Sequence, residues 1–224
     1  MANEENRVST QIAVYKTDKK LVEFIDKLRP ASVENYAHLH ATTEEDGEGK
    51  KLYSLIGMVM QDYSNGTGDK LVRVYANLSP DDVGFLLSRL TAGFQDVDFS
   101  QDKIFGKPDA SGQSTVTKVL IKRAMIGTDG KPRKFPWYFC IENGTGIAAE
   151  NKSGGKYIQK NSYKKQLQVF ANLSDQDAYR LFNRVVQYVK AWELTTGPAL
   201  IRQAALQLAA QREAKNQQGA QQTA

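Results

Sequence analysis

Between residues 114 and 165 the sequence combines a high density of positive charge with aromatic rings. This stretch holds eleven lysines and arginines against three acidic residues, a net charge of +8, whereas the whole chain carries +5. Lysine and arginine neutralise phosphates, and exposed aromatic rings stack on unpaired bases. Because stacking needs a base with a free face, the pattern favours single-stranded DNA or RNA over a duplex as the partner.

The candidate binding residues are the basic and aromatic side chains of this stretch, with three from neighbouring strands. The expected phosphate contacts are Lys118, Lys122, Arg123, Lys131, Arg133, Lys134, Lys156, Lys160, Lys164, Lys165 and Arg73. The stacking candidates are Trp137, Tyr138, Tyr157, Tyr163, Tyr75 and Phe170. For any single residue the simpler interpretation is a core aromatic or a lysine on a solvated surface. The cluster as a whole favours nucleic-acid binding.

Two histidines offer the only metal-ligand pattern. His38 and His40 precede an acidic run that includes Glu44, Glu45 and Asp46. Such a pair beside carboxylates has suitable ligand types, but in an acidic loop it is more often exposed and inert. We therefore expect neither a metal nor another cofactor.

No residue pattern indicates catalysis. Cys140 is the single cysteine and lies in an apolar run, which is typical of a buried thiol rather than a nucleophile. Asp82 and Asp177 each come three residues after a serine, where capping a helix explains them. We expect a protein without enzymatic activity.

The chain contains an internal repeat that organises these residues. Residues 74–79 (VYANLS) reappear as 169–174 (VFANLS), and eight of the seventeen positions in 74–90 are identical at the corresponding spacing. In each copy an apolar strand-like run precedes a serine cap and a helical pattern. Two copies are too few for a solenoid, so the repeat predicts two related halves, each a sheet followed by a helix.

The first half is predicted to contain three strands and two helices. A short helix should start at Thr17 or Asp18, bury Leu21, Phe24, Ile25 and Leu28, and end at Arg29-Pro30. The other expected elements are a strand over 8–15, an exposed loop over 31–51, a buried strand over 51–63, a hairpin turn at 65–69, a strand over 70–76, a helix from Ser79, and a polar connection from Gly93 to Ser114.

The second half is predicted to repeat this scheme with a longer, lysine-tipped hairpin at 151–156. We expect this hairpin to clamp over a bound nucleic-acid strand. Its strands are expected at 115–126, 135–141 and 157–171. In the last strand Leu167 and Val169 should point inward, with Gln168 and Phe170 outward. A helix from Ser174 should break at Gly197-Pro198, followed by a C-terminal helix.

Tyr75 and Phe170 occupy the same outward position in the two copies. An aromatic ring there suits a stacking platform, and it equally suits an interface between subunits. The sequence leaves these two alternatives open.

Two strand-rich repeats, each ending in a helix and carrying basic and aromatic residues on the sheets, resemble the Whirly and Pur-alpha group of single-stranded nucleic-acid-binding proteins. The resemblance is one of architecture and covers most of residues 8–192; the Whirly-type lysine-glycine-lysine signature is absent. It implies an oligomer in which the sheets of several chains line a path for DNA.

The sequence therefore predicts an α+β fold of two pseudo-symmetric repeats of antiparallel sheet and helix. The expected boundaries are one domain over 7–192 (repeats 7–96 and 113–192), a helix over 197–214 and a disordered tail over 215–224. The predicted function is largely sequence-nonspecific binding of single-stranded nucleic acid, DNA rather than RNA, by a cytoplasmic homo-oligomer without membrane spans. The alternative is a non-enzymatic assembly or protein-interaction subunit that uses the sheet face and the C-terminal helix.

Overall fold

The computed structural model describes residues 10–42, 44–45, 48–49 and 51–222, without the side chains of residues 37 and 216–222. The first residues of the first predicted strand, and Asp46, lie outside this range. In chain order the elements are β1 (Gln11–Lys16), β2 (Lys20–Lys27), a 3-10 helix (Val33–His38), β3 (Glu44–Glu45), β4 (Lys51–Leu52), β5 (Leu55–Asp62), a 3-10 turn (Gly68–Lys70), β6 (Val72–Leu78), α1 (Pro80–Thr91), β7 (Asp96–Phe105), β8 (Ser114–Ala124), β9 (Trp137–Gly146), β10 (Ala148–Glu150), β11 (Lys156–Ile158), β12 (Lys164–Leu173) and α2 (Asp175–Gln222).

The fold is α+β, with two four-stranded antiparallel sheets. The first has the strand order β1-β2-β5-β6, and α1 follows its last strand. The second has the order β12-β9-β8-β7, and α2 follows its last strand in the chain, β12. The strands β3 and β4, and β10 and β11, form two small hairpins.

The chain divides into two compact units. The first, called the sheet unit, consists of Met1–Asp26 and Ile56–Val186 and holds both large sheets. The second, called the arm unit, consists of Lys27–Leu55 and Gln187–Ala224. Helix α2 starts in the sheet unit and ends in the arm unit.

The core of the sheet unit is built around Phe182 of α2. Its ring contacts Phe24 from the first sheet at a centroid distance of 6.3 Å and Phe139 from the second at 5.5 Å. The Trp137 ring meets it edge-on at 5.6 Å. All four side chains are fully buried, so one aromatic cluster joins residues of both sheets to the helix.

The duplicated serine and aspartate cap the two helices, as predicted. Ser79 accepts a hydrogen bond from the Asp82 amide, and the Asp82 carboxylate accepts one from the Ser79 amide. At α2 the Ser174 hydroxyl donates to the Asp177 carboxylate at 2.6 Å and accepts from the Asp177 amide at 3.1 Å. Both serine hydroxyls and the Asp82 carboxylate thereby accept from backbone amides at the helix starts, where amides lack intrahelical partners, whereas the Asp177 carboxylate accepts from the Ser174 hydroxyl.

The helix predicted after Thr17 is wrong, because these residues form strand β2. Val22 and Phe24 are fully buried, and the strand pairs with β1 from Leu21 to Ile25. Apolar residues at 21, 24, 25 and 28 also fit a helical face, and this ambiguity is inherent in short apolar runs. At residues 20–27 the first sheet therefore has a strand where the sequence predicts a helix.

Strand β7 occupies much of the segment that is predicted from the sequence to be a polar connection. It lies at the edge of the second sheet, pairs with β8 over its full length, and alternates charged, exposed Asp98 and Asp102 with less polar positions. Strand β9 likewise continues to Gly146, beyond residue 141, where the predicted strand ends. In both places partner strands satisfy a backbone whose side chains suggest a loop.

Leu167 is 45% exposed, which contradicts its predicted inward position. The pairing of β12 with β9 shifts register between Lys165 and Leu167, whereas Val169 and Ala171 are buried as an undisturbed alternation requires. The shift lies before Leu167, which pairs with Asn143 in step with Val169 and Ile141, so Leu167 lies on the same side of the sheet as Val169 but at the exposed end of β12.

Helix α2 continues through Gly197-Pro198, where we predict a break. A proline removes one hydrogen bond to the carbonyl four residues earlier and crowds that carbonyl, but burial of Val189, Leu200 and Ala204 stabilises the helix on both sides. Residues 215–222, predicted to be a disordered tail, form its last described turns, and residues 223–224 lie outside the described range. Neither described helix has a stretch apolar enough to cross a bilayer.

Gly84 in α1 provides a prediction about local stability. A Cβ added there has no atom within 4 Å, and its φ lies outside the positive range. Gly84→Ala is expected to raise the free energy of unfolding by about 0.5–1 kcal/mol, because alanine restricts the unfolded chain without a steric cost. Urea unfolding followed by circular dichroism measures this, and a decrease would contradict the open environment.

Candidate nucleic-acid interface

One face of the second sheet gathers several predicted binding residues, and we call it the outer face. Strand register places Lys118 between Asp102 and Glu142, and Lys122 between Asp98 and Tyr138. Gln168 lies opposite Glu142, and Phe170 lies opposite Cys140. The alternation of the pleat therefore brings together residues that are far apart in the sequence.

The lysines of the outer face are paired with carboxylates. Lys118 lies 2.8 Å from Asp102, and Lys122 lies 2.9 Å from Asp98. Lys165 Nζ is 3.5 Å from Glu142. Exposed pairs of this type contribute at most about 1 kcal/mol each, so a phosphate could replace the carboxylate, but the local charge on this face is nearly balanced. The sequence pattern does not predict these carboxylate partners, because it does not predict strand β7.

Arg123 and Trp137 must be removed from the binding set, because both are interior residues. The Arg123 side chain is 7% exposed, and its Nε and Nη2 donate to the Asp175 carboxylate at 2.9 and 2.8 Å. Its Nη1 donates to the Phe94 carbonyl. Trp137 is fully buried, and its indole N–H donates to Asp175 at 2.8 Å. Neither side chain has a free surface for phosphate or base.

Phe170 and Tyr138 form an aromatic pair on the outer face. Their rings lie 27° from parallel with centroids 5.8 Å apart, and Phe170 is 45% exposed. The Lys20 ammonium lies 4.8 Å from the Phe170 centroid and is held there by Asp62. Burial alone would raise the pKa of Asp62, but hydrogen bonds from Lys20 and Ser64 outweigh it and lower the pKa to about 2.

The phenol hydroxyls of Tyr138 and Tyr163 remain protonated at neutral pH. Burial, a hydrogen bond with Cys140 and the nearby Glu142 charge raise the pKa of Tyr138 to about 12. Burial and Glu142 also raise the pKa of Tyr163, whose hydroxyl donates to that carboxylate at 3.1 Å. The Lys118 ammonium lies 4.7 Å from the Tyr163 ring centroid. The hydrogen bond to Glu142 and the contact with Lys118 hold the Tyr163 ring in place, whereas the Phe170 ring keeps 45% of its surface exposed.

Tyr75 lies outward on the first sheet, as predicted from the repeat. It is 47% exposed, and the Arg73 guanidinium lies 4.8 Å from its ring centroid and 3.8 Å from Glu23. The Asn143 side chain of β9 accepts from the Tyr75 amide and donates to its carbonyl, both at 2.9 Å. The Asn143 side-chain amide therefore pairs with the edge of β6 in the way that the backbone of a neighbouring strand would.

Six of the predicted phosphate contacts are exposed and lie in or beside two connections of the second half. The turn between β8 and β9 carries Lys131, Arg133 and Lys134, and it is held by the Arg133 amide donating to the Met125 carbonyl at 2.8 Å. The β10–β11 hairpin and the segment after it carry Lys156, Lys160 and Lys164, with Tyr157 51% exposed. Within the described part of the chain, none of these six cations has an ion-pair partner. Because they are exposed and unpaired, these six cations suit the predicted role of phosphate contacts better than the ion-paired lysines of the sheet do.

Two clefts add residues that the sequence analysis missed. A cleft of about 330 Å³ is lined by Lys16 of β1 and by Arg180 and Arg184 of α2, with Asp177 at its wall. A second cleft, of about 260 Å³, lies among Lys20, Phe135 and Phe170. Tyr15 lines both clefts, so they adjoin. Their cations come from elements outside residues 114–165, and no local charge cluster marks them.

His40 belongs to a polar cluster in the arm unit. Its Nδ1 is 2.8 Å from the Ser54 hydroxyl, its Nε2 is 3.1 Å from the Glu193 carboxylate, and its ring stacks on Trp192 at 4.9 Å. Both ring nitrogens are therefore occupied. In the part of the chain that the structure describes, no three histidine, cysteine, aspartate or glutamate side chains form a metal-binding group.

Cys140 is 3% exposed and accepts a hydrogen bond from the Gln168 amide at 3.3 Å.

Comparisons with protein-family models, with curated proteins and with solved structures found no match to this chain.

Proposed function

We propose that this protein binds single-stranded nucleic acid, DNA rather than RNA, without strong sequence preference and without a catalytic step. In this proposal the two sheet–helix halves are pseudo-symmetric repeats, similar to those of the Whirly and Pur-alpha group. The order of elements supports this, since each four-stranded sheet is followed by a helix. The repeated residues 74–90 and 169–185 fall on β6 with α1 and on β12 with α2.

The observation that carries the proposal is the exposed Phe170–Tyr138 pair beside the cleft of Lys20 and Phe135. Two rings that lie nearly parallel and retain exposed surface extend naturally by one more flat ring, which an unpaired base supplies. A duplex buries its base faces and cannot stack in this way. The Lys20 ammonium adjoins the same ring, where it also favours a nearby phosphate.

The phosphates of the strand are assigned to the cations of the β8–β9 connection and to those of the adjoining cleft. Lys131, Arg133 and Lys134 belong to the connection that ends beside Phe135, and Lys134 lies 5.5 Å from the Phe135 ring centroid. Lys16, Arg180 and Arg184 line the adjoining cleft. Among the described residues, Lys131, Arg133 and Lys134 lack the close carboxylate partners of Lys118, Lys122 and Lys165, so phosphate binding there displaces fewer existing interactions. In the cleft, Arg180 lies 3.8 Å from Asp177.

Fluorescence anisotropy with labelled single-stranded DNA, the matching duplex and RNA of the same sequence tests the proposal. Phe170→Ala is expected to weaken single-strand binding about tenfold, because stacking on one aromatic ring contributes about 1–3 kcal/mol. Phe105→Ala is the matched control, since Phe105 is 50% exposed and its position in β7 alternates away from the outer face. It should leave binding unchanged.

The same assay with varied salt tests the phosphate contacts. Replacing Lys131, Arg133 and Lys134 together by alanine should weaken binding and make the slope of log K against log salt less negative by about 2, at about 0.7 per phosphate. Replacing Lys190, Arg202 and Arg212 removes the same charge from α2 and serves as control. Absence of single-strand binding in the wild type at low salt would refute the proposal and favour the assembly-subunit alternative. Equal effects of the two triple variants would remove only the β8–β9 turn from the site.

A further inference from the structure

The arm-unit part of α2 exposes a regular apolar stripe. Positions 191, 194, 198, 201, 205 and 208 follow one another at alternating intervals of three and four residues. All six are apolar and exposed, with Leu194 76%, Ile201 56% and Leu208 43% exposed. We call these residues, Ala191, Leu194, Pro198, Ile201, Ala205 and Leu208, the seam.

This spacing is the one that packs a helix along another helix. Alternating steps of three and four keep side chains on one line of an α-helix, so that they insert between the side chains of a partner helix. A neighbouring side of the helix is already used within the arm unit, where Leu200 and Ala204 are buried and a Cβ added at Gly197 would lie 3.6 Å from Leu39. The seam is a second apolar side, and in the described residues nothing covers it.

Side-chain size alternates along the seam in a way that specifies its partner. Every first position is small (Ala191, Pro198, Ala205), and every second position is large (Leu194, Ile201, Leu208). If a second copy lies antiparallel, each small residue faces a large one: 191 faces 208, 194 faces 205, and 198 faces 201. A parallel copy in register would set small residues against each other and leave voids, which packed interfaces disfavour.

The flanking positions are compatible with the same antiparallel arrangement. Lys190 then lies near Gln211 of the second copy, and Thr195 lies near Arg202. Like charges facing each other would oppose pairing, and this arrangement places none opposite each other at these positions. An interface between identical surfaces related by a twofold axis is the commonest form of homodimer.

We propose that the seam is the interface of an antiparallel homodimer, formed by α2 of one copy against α2 of a second copy. A seam about 27 Å long on a helix about 10 Å wide buries on the order of 1,000 Å² over both copies. Stable interfaces start at about 1,200 Å², so the dimer is reversible, with a Kd on the order of 10 µM. The interface is apolar, and its strength depends little on salt.

Sedimentation equilibrium of the nucleic-acid-free full chain tests this interface. The wild type should pass from monomer to dimer over about 1–100 µM. Leu194→Glu/Ile201→Glu should weaken dimerisation at least tenfold, because it places charges against apolar side chains. The control is Leu206→Glu, since Leu206 is 68% exposed on the same helix but lies off the seam. Circular dichroism checks that both variants retain their helix content.

Cross-linking determines the orientation. Oxidation of a mixture of Ala191→Cys and Leu208→Cys proteins should yield the mixed dimer, because position 191 of one copy faces position 208 of the other. Cys140 is buried and does not compete. A monomeric wild type at about 100 µM, equal effects of Leu206→Glu and the seam variant, or cross-linking of Ala191→Cys mainly to itself would each overturn the proposal. None of these outcomes depends on nucleic-acid binding.

Discussion

Asp175→Ala is expected to lower the free energy of unfolding by about 3 kcal/mol. The Asp175 carboxylate accepts two hydrogen bonds from Arg123 and one from the Trp137 indole, at 2.8–2.9 Å. Without it, the Arg123 guanidinium, 7% exposed, and a fully buried indole N–H lose their acceptor. Removing one partner of a buried pair costs about 3–5 kcal/mol. Because the Asp175 side chain is 40% exposed, we expect the lower end of that range.

The effect of Asp175→Ala should depend on pH in a defined direction. Hydrogen bonds from Arg123, supported by Trp137, hold the pKa of Asp175 below its ordinary value although burial opposes them. A carboxyl whose folded-state pKa is depressed contributes stability above its unfolded pKa of about 3.9, and this contribution is lost as the pH falls through the folded-state pKa. The difference between wild type and variant should therefore narrow below about pH 4.

Urea unfolding at several pH values measures both effects. Arg123→Met/Asp175→Ala is the informative control, since replacing both charged partners avoids a buried unpaired charge and should recover part of the loss. A single variant as stable as wild type would show that Arg123 finds another acceptor. That result would restore Arg123 as a candidate phosphate contact.

Gly144→Ala is expected to destabilise the protein by on the order of 3 kcal/mol through overpacking. A Cβ at Gly144 would collide with the Lys164 carbonyl of β12 and lie 3.0 Å from the Tyr163 ring. The collision is with backbone, so relief requires β12 to move away from β9 where the register shifts beside Lys165. Glycine in a strand often marks such a close approach.

Gly84→Ala is the control for the substitution itself, because alanine there meets no atom and should stabilise. Thermal or urea unfolding of the two variants should give effects of opposite sign. If both variants were neutral, β9 and β12 would not approach as closely at Gly144 as the geometry requires. Because the Tyr163 ring adjoins Lys118 and Glu142, Gly144→Ala should also alter the outer face.

The two proposals depend on different physical interactions and can be separated by salt. Binding of a strand to the unpaired cations releases counterions and weakens steeply as salt rises. Pairing of two α2 seams is apolar and changes little. A protein that dimerises but binds no nucleic-acid strand would support the seam proposal and refute the nucleic-acid interface on the second sheet. A protein that binds a strand but stays monomeric would support the nucleic-acid interface and refute the seam proposal.

Local pattern in the sequence was sufficient for the helix starts and for the outward aromatics. A serine followed three residues later by aspartate caps a helix through atoms within one turn, so the prediction at Ser79 and Ser174 needs no distant residue. Tyr75 and Phe170 lie outward because strand alternation is also local. The α+β class followed from these short-range signals.

Tertiary structure decided which predicted binding residues are accessible. The sequence does not indicate that Asp175, at the start of α2, approaches Arg123 and Trp137, and it is this approach that buries them. The partners of Lys118 and Lys122 depend on β7, whose polar side chains favour a loop until a neighbouring strand pairs with it. The cleft cations converge from β1 and α2 for the same reason. Charge and aromatic content are properties of the sequence, whereas burial and pairing depend on which distant segments the core brings together.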